Sequence, residues 1–333
     1  MAAKKKEKTT TLQKQAIPRT ISNKFIYDLG NPEGILYPIF EYARDDEELS
    51  IQIRDGYVNV YYLGGSMLCI WASGDKYIAT QDSNYLKGTK VSAKEEIKTS
   101  VDASSVAWSF KQRKDAMKKK LETKNTDEKI FQQKLYNANR KGGLVVVDTE
   151  VQIPGDVCEF LYKLEPKVRH PRFDMVGLSK MENGKYRPVL IENKWGTKAL
   201  YGKDGVEDHA RDMLRFVRSR FWAYYMDELE EQAAQLQRLG LIELDRFFCI
   251  DREEYPEMMF VLGDSKMELK ELEAMRDKMV ATIKKEKKKP SWIGYNLTIS
   301  ALTKSATKDD YAIGMNSRTR KPWLTAAISV GQS

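Results

Sequence analysis

Histidine is almost missing from this chain: His170 and His209 are the only two among 333 residues. A metal centre built from histidines is therefore excluded. Cysteine is nearly as scarce. Cys69, Cys158 and Cys249 are odd in number, widely separated and without Cys-x-x-Cys spacing. This rules out a disulfide framework and a cysteine zinc site, and it predicts a reducing compartment. A metal bound here would rest mainly on carboxylates, the donors suited to magnesium, manganese or calcium. No apolar run approaches the roughly 18 residues that read as a membrane span. The opening stretch MAAKKKEKTTTLQKQAIPRT also lacks the apolar segment of a secretory leader. The expectation is a cytoplasmic protein with no membrane partner.

Charge is abundant. With 31% charged and 41% hydrophobic residues, the composition is that of a folded globular protein, long enough for one large domain or two ordinary ones. A net charge of +8 permits a polyanionic partner such as nucleic acid. A homodimer is left open. Residues 1–20 read as a basic, solvated tail. Within a first domain, 21–110, strand-like runs alternate with glycine turns: SIQIR, Asp55-Gly56, YVNVYYL, Gly64-Gly65, SMLCIWAS, Gly74-Asp75, KYIATQ. Such pairs between β-branched and aromatic runs signal hairpins, and they predict a small antiparallel meander of four strands. Tyr57, Asn59 and Tyr61 share one face and Val58, Val60 and Tyr62 the other. Those tyrosines can stack on bases or simply pack the sheet. Residues 111–126 read as an exposed charged helix or linker, and 263–333 as a mixed C-terminal extension.

Between these lies the segment that carries chemistry, 127–262. A helix opening at Asp127 stops at Gly142-Gly143. LVVVDTEVQIP, RFDMVGLSK and RPVLIENKWG follow as strands, then a long helix from about Asp204, then RFFCID (Arg246 to Asp251) as a further strand. The alternation predicts an α/β unit, a mixed sheet flanked by helices. Carboxylates are stranded in these apolar runs. Glu192 and Lys194 project together from one strand, Asp174 interrupts a second, and Asp148 and Glu150 share a face of the first. A buried, unpartnered carboxylate is costly, so acids on adjacent strands suggest a shared cation. Mg²⁺ needs only two or three of them because it keeps several waters.

Asp174, followed eighteen positions later by Glu192-x-Lys194 on a hydrophobic strand, resembles the PD-(D/E)xK nuclease superfamily. Phe173 stands where the proline would be. The resemblance implies a restriction-endonuclease-like mixed sheet and Mg²⁺-dependent hydrolysis of phosphodiesters, with Mn²⁺ able to substitute and DNA favoured over RNA. It also implies that Asp174 and Glu192 hold the metal and that Lys194 is catalytic. Glu150 matches an extra upstream acid, with Asp148 the alternative on the same strand. Glu128, on the preceding helix, occupies another place where members put that acid. Asp174, Glu150 and Glu192 are expected to converge at one sheet edge. On the following helix, Ala210, Met213, Leu214, Val217, Phe221 and Tyr224 recur at helical spacing as one buried stripe. His209 sits at its edge, where some relatives place a polar residue near the substrate or metal. Arg211, Arg215 and Arg218 form a row suited either to phosphates or to pairing with nearby acids.

Overall fold

The computed structural model describes residues 19–121, 126–152, 172–196, 201, 205–217, 221–254, 256–263, 269–285, 295–302 and 324–328. Helices α1 (Asn23–Gly30) and α2 (Tyr37–Asp45) lead into an antiparallel sheet whose strands are neighbours in chain order: β1 (Leu49–Ile53), β2 (Tyr57–Tyr62), β3 (Gly65–Ser73), β4 (Lys76–Thr80) and β5 (Lys94–Ile97). The four-stranded meander thus gains a fifth strand. KEEI is too charged to read as a strand, yet it pairs Tyr77↔Ile97 through Thr80↔Lys94. Tyr57 and Tyr61 are half-buried rather than exposed. A short helix α3 (Ser83–Leu86) and then α4 (Ser100–Trp108) and α5 (Phe110–Leu121) accompany this sheet. Most of the expected charged linker is α5, and it is not wholly exposed. Phe110, Arg113, Met117 and Leu121 form a buried row, which Lys and Glu density concealed. Arg113 is buried because Glu95, at 2.5 Å, and Gln81, at 2.8 Å, satisfy its guanidinium.

The second half is a separate mixed sheet. Helix α6 (Asp127–Ala138) precedes β6 (Leu144–Gln152), β7 (Arg172–Lys180) and β8 (Tyr186–Trp195). Helices α7 (Val206–Val217) and α8 (Phe221–Arg238), β9 (Glu257–Gly263), α9 (Leu269–Lys285), β10 (Tyr295–Leu302) and β11 (Leu324–Ile328) follow. The spatial order is β11-β10-β9-β8-β7-β6. Strands β6, β7 and β8 run antiparallel in succession, β9 and β10 join in parallel, and β11 returns antiparallel. Helix α6 covers one face through Phe131, Leu135 and Tyr136, packed with Val146, Met175, Ile191 and Val261. Residues of α7 and α8 join Val145, Val176, Leu190 and Phe260 in a larger core that continues beneath the first sheet. The protein is therefore α/β, with an antiparallel sheet beside a mixed, helix-flanked one. Among the described residues no helix is long and apolar enough to cross a membrane.

Two local expectations fail. RFFCID is not a strand: only Ile250 makes an isolated bridge, to Tyr186, and Phe247 is 85% exposed. The strand is EMMFVLG, buried at every position, and such a run lacks the alternation that marks a half-buried strand. The long helix is two. The stripe is buried through Val217, the Phe221 side chain lies outside the described residues, and Tyr224 is 50% exposed while Tyr225 is buried. Strands β10 and β11, within the C-terminal extension, add to the sheet beyond residue 262.

The two halves meet closely at the β2–β3 turn. Gly64 has φ +72°, and a Cβ there would lie 2.5 Å from Lys129 Cβ and 2.6 Å from Lys129 O. Its N–H donates to Gln133 Oε1 at 2.5 Å. Gly56 has the same φ with nothing within 4 Å. Gly56→Ala should therefore cost about 1 kcal/mol for the left-handed backbone alone. Gly64→Ala should cost about 3 kcal/mol, because overpacking against α6 is added. Urea unfolding of both variants, read as shifts of midpoint at constant slope, checks the difference. Equal losses would mean that the turn does not press on α6.

Candidate active site

Side chains alternate along β8, so Leu190, Glu192 and Lys194 share the face covered by α7, while Ile191, Asn193 and Trp195 face α6. Glu192 and Lys194 are both buried. The register Met175↔Ile191 brings Asp174 beside Glu192 on the neighbouring strand. There the carboxylate of Asp174 accepts the Asn193 N–H through Oδ2 at 2.9 Å, and its carbonyl accepts from Gln132 Nε2 of α6 at 2.5 Å. Lys194 Nζ lies 2.7 Å from Glu192 Oε1. His209, carried in on the first turns of α7, places Nε2 at 3.1 Å from the same oxygen and 3.2 Å from Lys194 Nζ. The centre is thus Asp174, Glu192, Lys194 and His209, held by two strands and one helix.

Its electrostatics are unbalanced. Burial, and next the charge of Asp174, push the Glu192 carboxyl well above its ordinary range, with Lys194 opposing. Burial raises Asp174 from 3.8 to about 6, against the pull of the Asn193 N–H and Lys194. Burial would lower Lys194, but Glu192, Asp174 and Glu128 more than offset it, and the ammonium form is favoured. Among the described residues, Glu192 Oε2 is buried without a hydrogen-bond partner. Two adjoining acids, one with an orphaned oxygen, fit a hard divalent cation, since Mg²⁺ is commonly held by one or two carboxylates together with waters and substrate phosphates.

The upstream acids separate into three cases. Asp148 is excluded from the centre. Its carboxylate is fully buried in ion pairs with Arg54 at 2.5 Å and Arg19 at 3.3 Å. Glu150 does not share its environment, because a register irregularity between Val146 and Asp148 and a φ of +51° at Glu150 break the regular strand. The Glu150 side chain is 42% exposed and lies 3.6 Å from Lys129. Its charge is felt at Asp174, but less than that of Glu128, which also acts on Glu192 and Lys194. Glu128 and Glu150 both remain candidates for the further acid.

Of the arginine row, Arg211 pairs with Asp208 at 2.9 Å and Arg215 with Asp212 at 3.7 Å. Arg218 lies outside the described residues. Sequence reasoning missed Gln132, although it stands one turn after Glu128 on the same helix face. It also missed the aromatic wedge behind the centre. Trp195 packs against Phe131 in a tilted arrangement with ring centroids 5.4 Å apart, and it rests so close to Gly263 that a Cβ there would meet its ring at 2.5 Å. Comparison with known protein families, with curated proteins and with solved structures finds no match to this chain.

Asp174 binds its proton more tightly in the folded chain than in the unfolded one, so in metal-free protein its contribution to stability falls as pH rises from about 4 to about 6. Asp174→Asn should therefore raise metal-free stability at pH 7 by on the order of 2 kcal/mol. That gain should shrink as pH falls through about 6. Glu192→Gln should stabilise in the same direction. Thermal unfolding in EDTA at pH 7 and pH 5 is the measurement, and a destabilised Asp174→Asn at pH 7 would contradict the electrostatic account.

Proposed function

We propose that this chain is a divalent-metal-dependent nuclease of the PD-(D/E)xK type, acting on phosphodiester bonds of DNA. The observation that carries the reading is the buried pair Asp174 and Glu192 on adjacent strands, with Lys194 against one Glu192 oxygen and the other oxygen unpartnered. The order of elements from α6 to β9, a helix, three antiparallel strands, helices and a parallel strand, supports it. The net charge of +8 suits a polyanionic substrate.

Asp174 and Glu192 would hold the metal, Mg²⁺ or Mn²⁺, with Glu128 or Glu150 as the third acid. Such an ion supplies Lewis-acid polarisation of a phosphoryl oxygen. The rest falls to the chain's own groups. Asp174 is kept in one orientation by the Asn193 N–H, so no side-chain rotation is needed when substrate arrives. Lys194, favoured as an ammonium, donates to phosphate oxygens as negative charge grows rather than abstracting a proton. His209 bridges Glu192 and Lys194 and fixes their relative position. Desolvation of the centre by α7 strengthens each of these interactions.

Plasmid, linear and single-stranded DNA, and RNA, incubated with Mg²⁺, Mn²⁺ or EDTA, test the reading, with Mn²⁺ titration calorimetry alongside. Cleavage should require metal and prefer DNA. Asp174→Asn should lose Mn²⁺ binding and cleavage together. Lys194→Ala should keep Mn²⁺ and nucleic-acid binding while losing about 10²- to 10⁴-fold in rate. A wild-type chain that binds nucleic acid but cuts none of these substrates with any metal would instead be a binding module on this scaffold.

A further inference from the structure

The β1–β2 turn of the first sheet reaches β6 just where that strand departs from regular geometry. Arg54, in that turn, donates to Asp148 Oδ1 at 2.5 Å, to Thr149 Oγ1 at 3.1 Å and to the Tyr61 hydroxyl at 3.1 Å. Arg19 adds bonds to Asp148 Oδ1 at 3.3 Å and to the Glu150 carbonyl at 3.2 Å. Three consecutive residues of β6 are thus gripped by two guanidinium groups, and the third, Glu150, has φ +51°, a backbone that L residues rarely adopt. At the other end of β2, the Gly64 turn seats the first turns of α6. Gln133 accepts from Gly64 N and donates to the carbonyls of Glu48 and Tyr61. Glu128 stands on that stretch of helix. Lys129 and Glu150, 3.6 Å apart, join the two gripped segments.

We infer that Arg54 is a positioning residue for the acid side of the metal centre, and that the first sheet is an integral part of that centre rather than a separable module. The inference rests on the proposed metal-dependent reading of Asp174 and Glu192. Its physical content is that β6 and α6 carry the two upstream acids, neither of which is fixed by the mixed sheet alone. Glu150 sits at an irregular strand position and Glu128 in the first turn of a helix, where backbone groups lack intrahelical partners. The segments that carry them are held from outside, β6 by Arg54 and Arg19 and α6 by the Gly64 turn. Arginine suits the task because its planar fork reaches the Asp148 carboxylate and the Thr149 and Tyr61 hydroxyls at once, which a lysine ammonium cannot do.

Arg54→Lys in the full chain keeps a cation for Asp148 but loses the fork. Thr149→Val removes one partner of Arg54 and leaves the Asp148 ion pairs intact. Mn²⁺ affinity by calorimetry, thermal unfolding in EDTA, and kcat and KM on DNA are measured for both. Groups that orient metal ligands typically contribute 10- to 100-fold in affinity. Arg54→Lys should therefore weaken Mn²⁺ binding by about 10-fold or more and lower kcat, with KM for DNA unchanged. Thr149→Val should do the same more mildly while staying folded, and it decides the matter if Arg54→Lys does not fold. Wild-type Mn²⁺ affinity in a folded Thr149→Val or Arg54→Lys, whatever the change in melting temperature, would make the junction merely adhesive and overturn the inference. A wild-type chain that binds no Mn²⁺ would overturn the metal reading itself, and the inference with it.

Discussion

The carboxylate of Asp148 has no access to solvent, and the junction of the two sheets is built around that fact. An ionised acid in such a place must be matched by charge and by hydrogen bonds, and removing one partner of a buried pair typically costs about 3–5 kcal/mol. Arg54 and Arg19 do the matching, and both come from the N-terminal half. Burial alone would lower the pKa of Arg54, but Asp148 and Tyr61 hold it above its ordinary value, so the guanidinium stays charged. The pairing fixes how β1 and β2 approach β6. The apolar core can then run on from one sheet to the other, as the shared cluster of Ile51, Val60, Val147 and Leu229 does.

The same physical problem recurs at Asp174 and Glu192 with the opposite outcome. There the chain supplies one lysine, one histidine and one backbone amide to two adjoining acids, and leaves Glu192 Oε2 without a partner. Asp148 Oδ2 also lacks a hydrogen bond among the described residues, but two arginines face that single acid, Arg19 at 3.3 Å from this oxygen. Burial, which so few partners do not offset, raises the carboxyl pKa values of both Asp174 and Glu192, and perturbed acids of this kind cluster at functional sites. The two acidic positions, one on β6 and one on β7 and β8 of a single sheet, thus differ in how many cations face each carboxylate.

Much of the centre was legible in the residues. Alternation along IENKW put Glu192 and Lys194 on one face, and the apolar context of RFDMVG placed Asp174 on a buried strand. His209 lay at the edge of a helical stripe, and the packing of α7 brought it to 3.1 Å from Glu192. Less legible was which upstream acid matters. Asp148 and Glu150 are equivalent under strict alternation, and only the irregularity after Val146 and the left-handed backbone at Glu150 make one a buried ion-pair member and the other half-exposed. Likewise, KEEI and EMMFVLG defeated pattern reading from opposite directions, the first too polar and the second uniformly apolar.

By itself the sequence determined what is set by local chemistry. The turn glycines, the two-residue period of the strands, the helical stripe and the donor set open to a metal all follow from neighbouring residues and need no knowledge of the rest of the chain. What only the tertiary structure decided involves partners far apart in sequence: Arg54 with Asp148, Gly64 with Lys129, Trp195 with Gly263, His209 with Glu192. The physical reason is that a buried charge or a close backbone approach is acceptable only with a particular partner. That partner is chosen by how sheets and helices pack, which no short window of sequence contains.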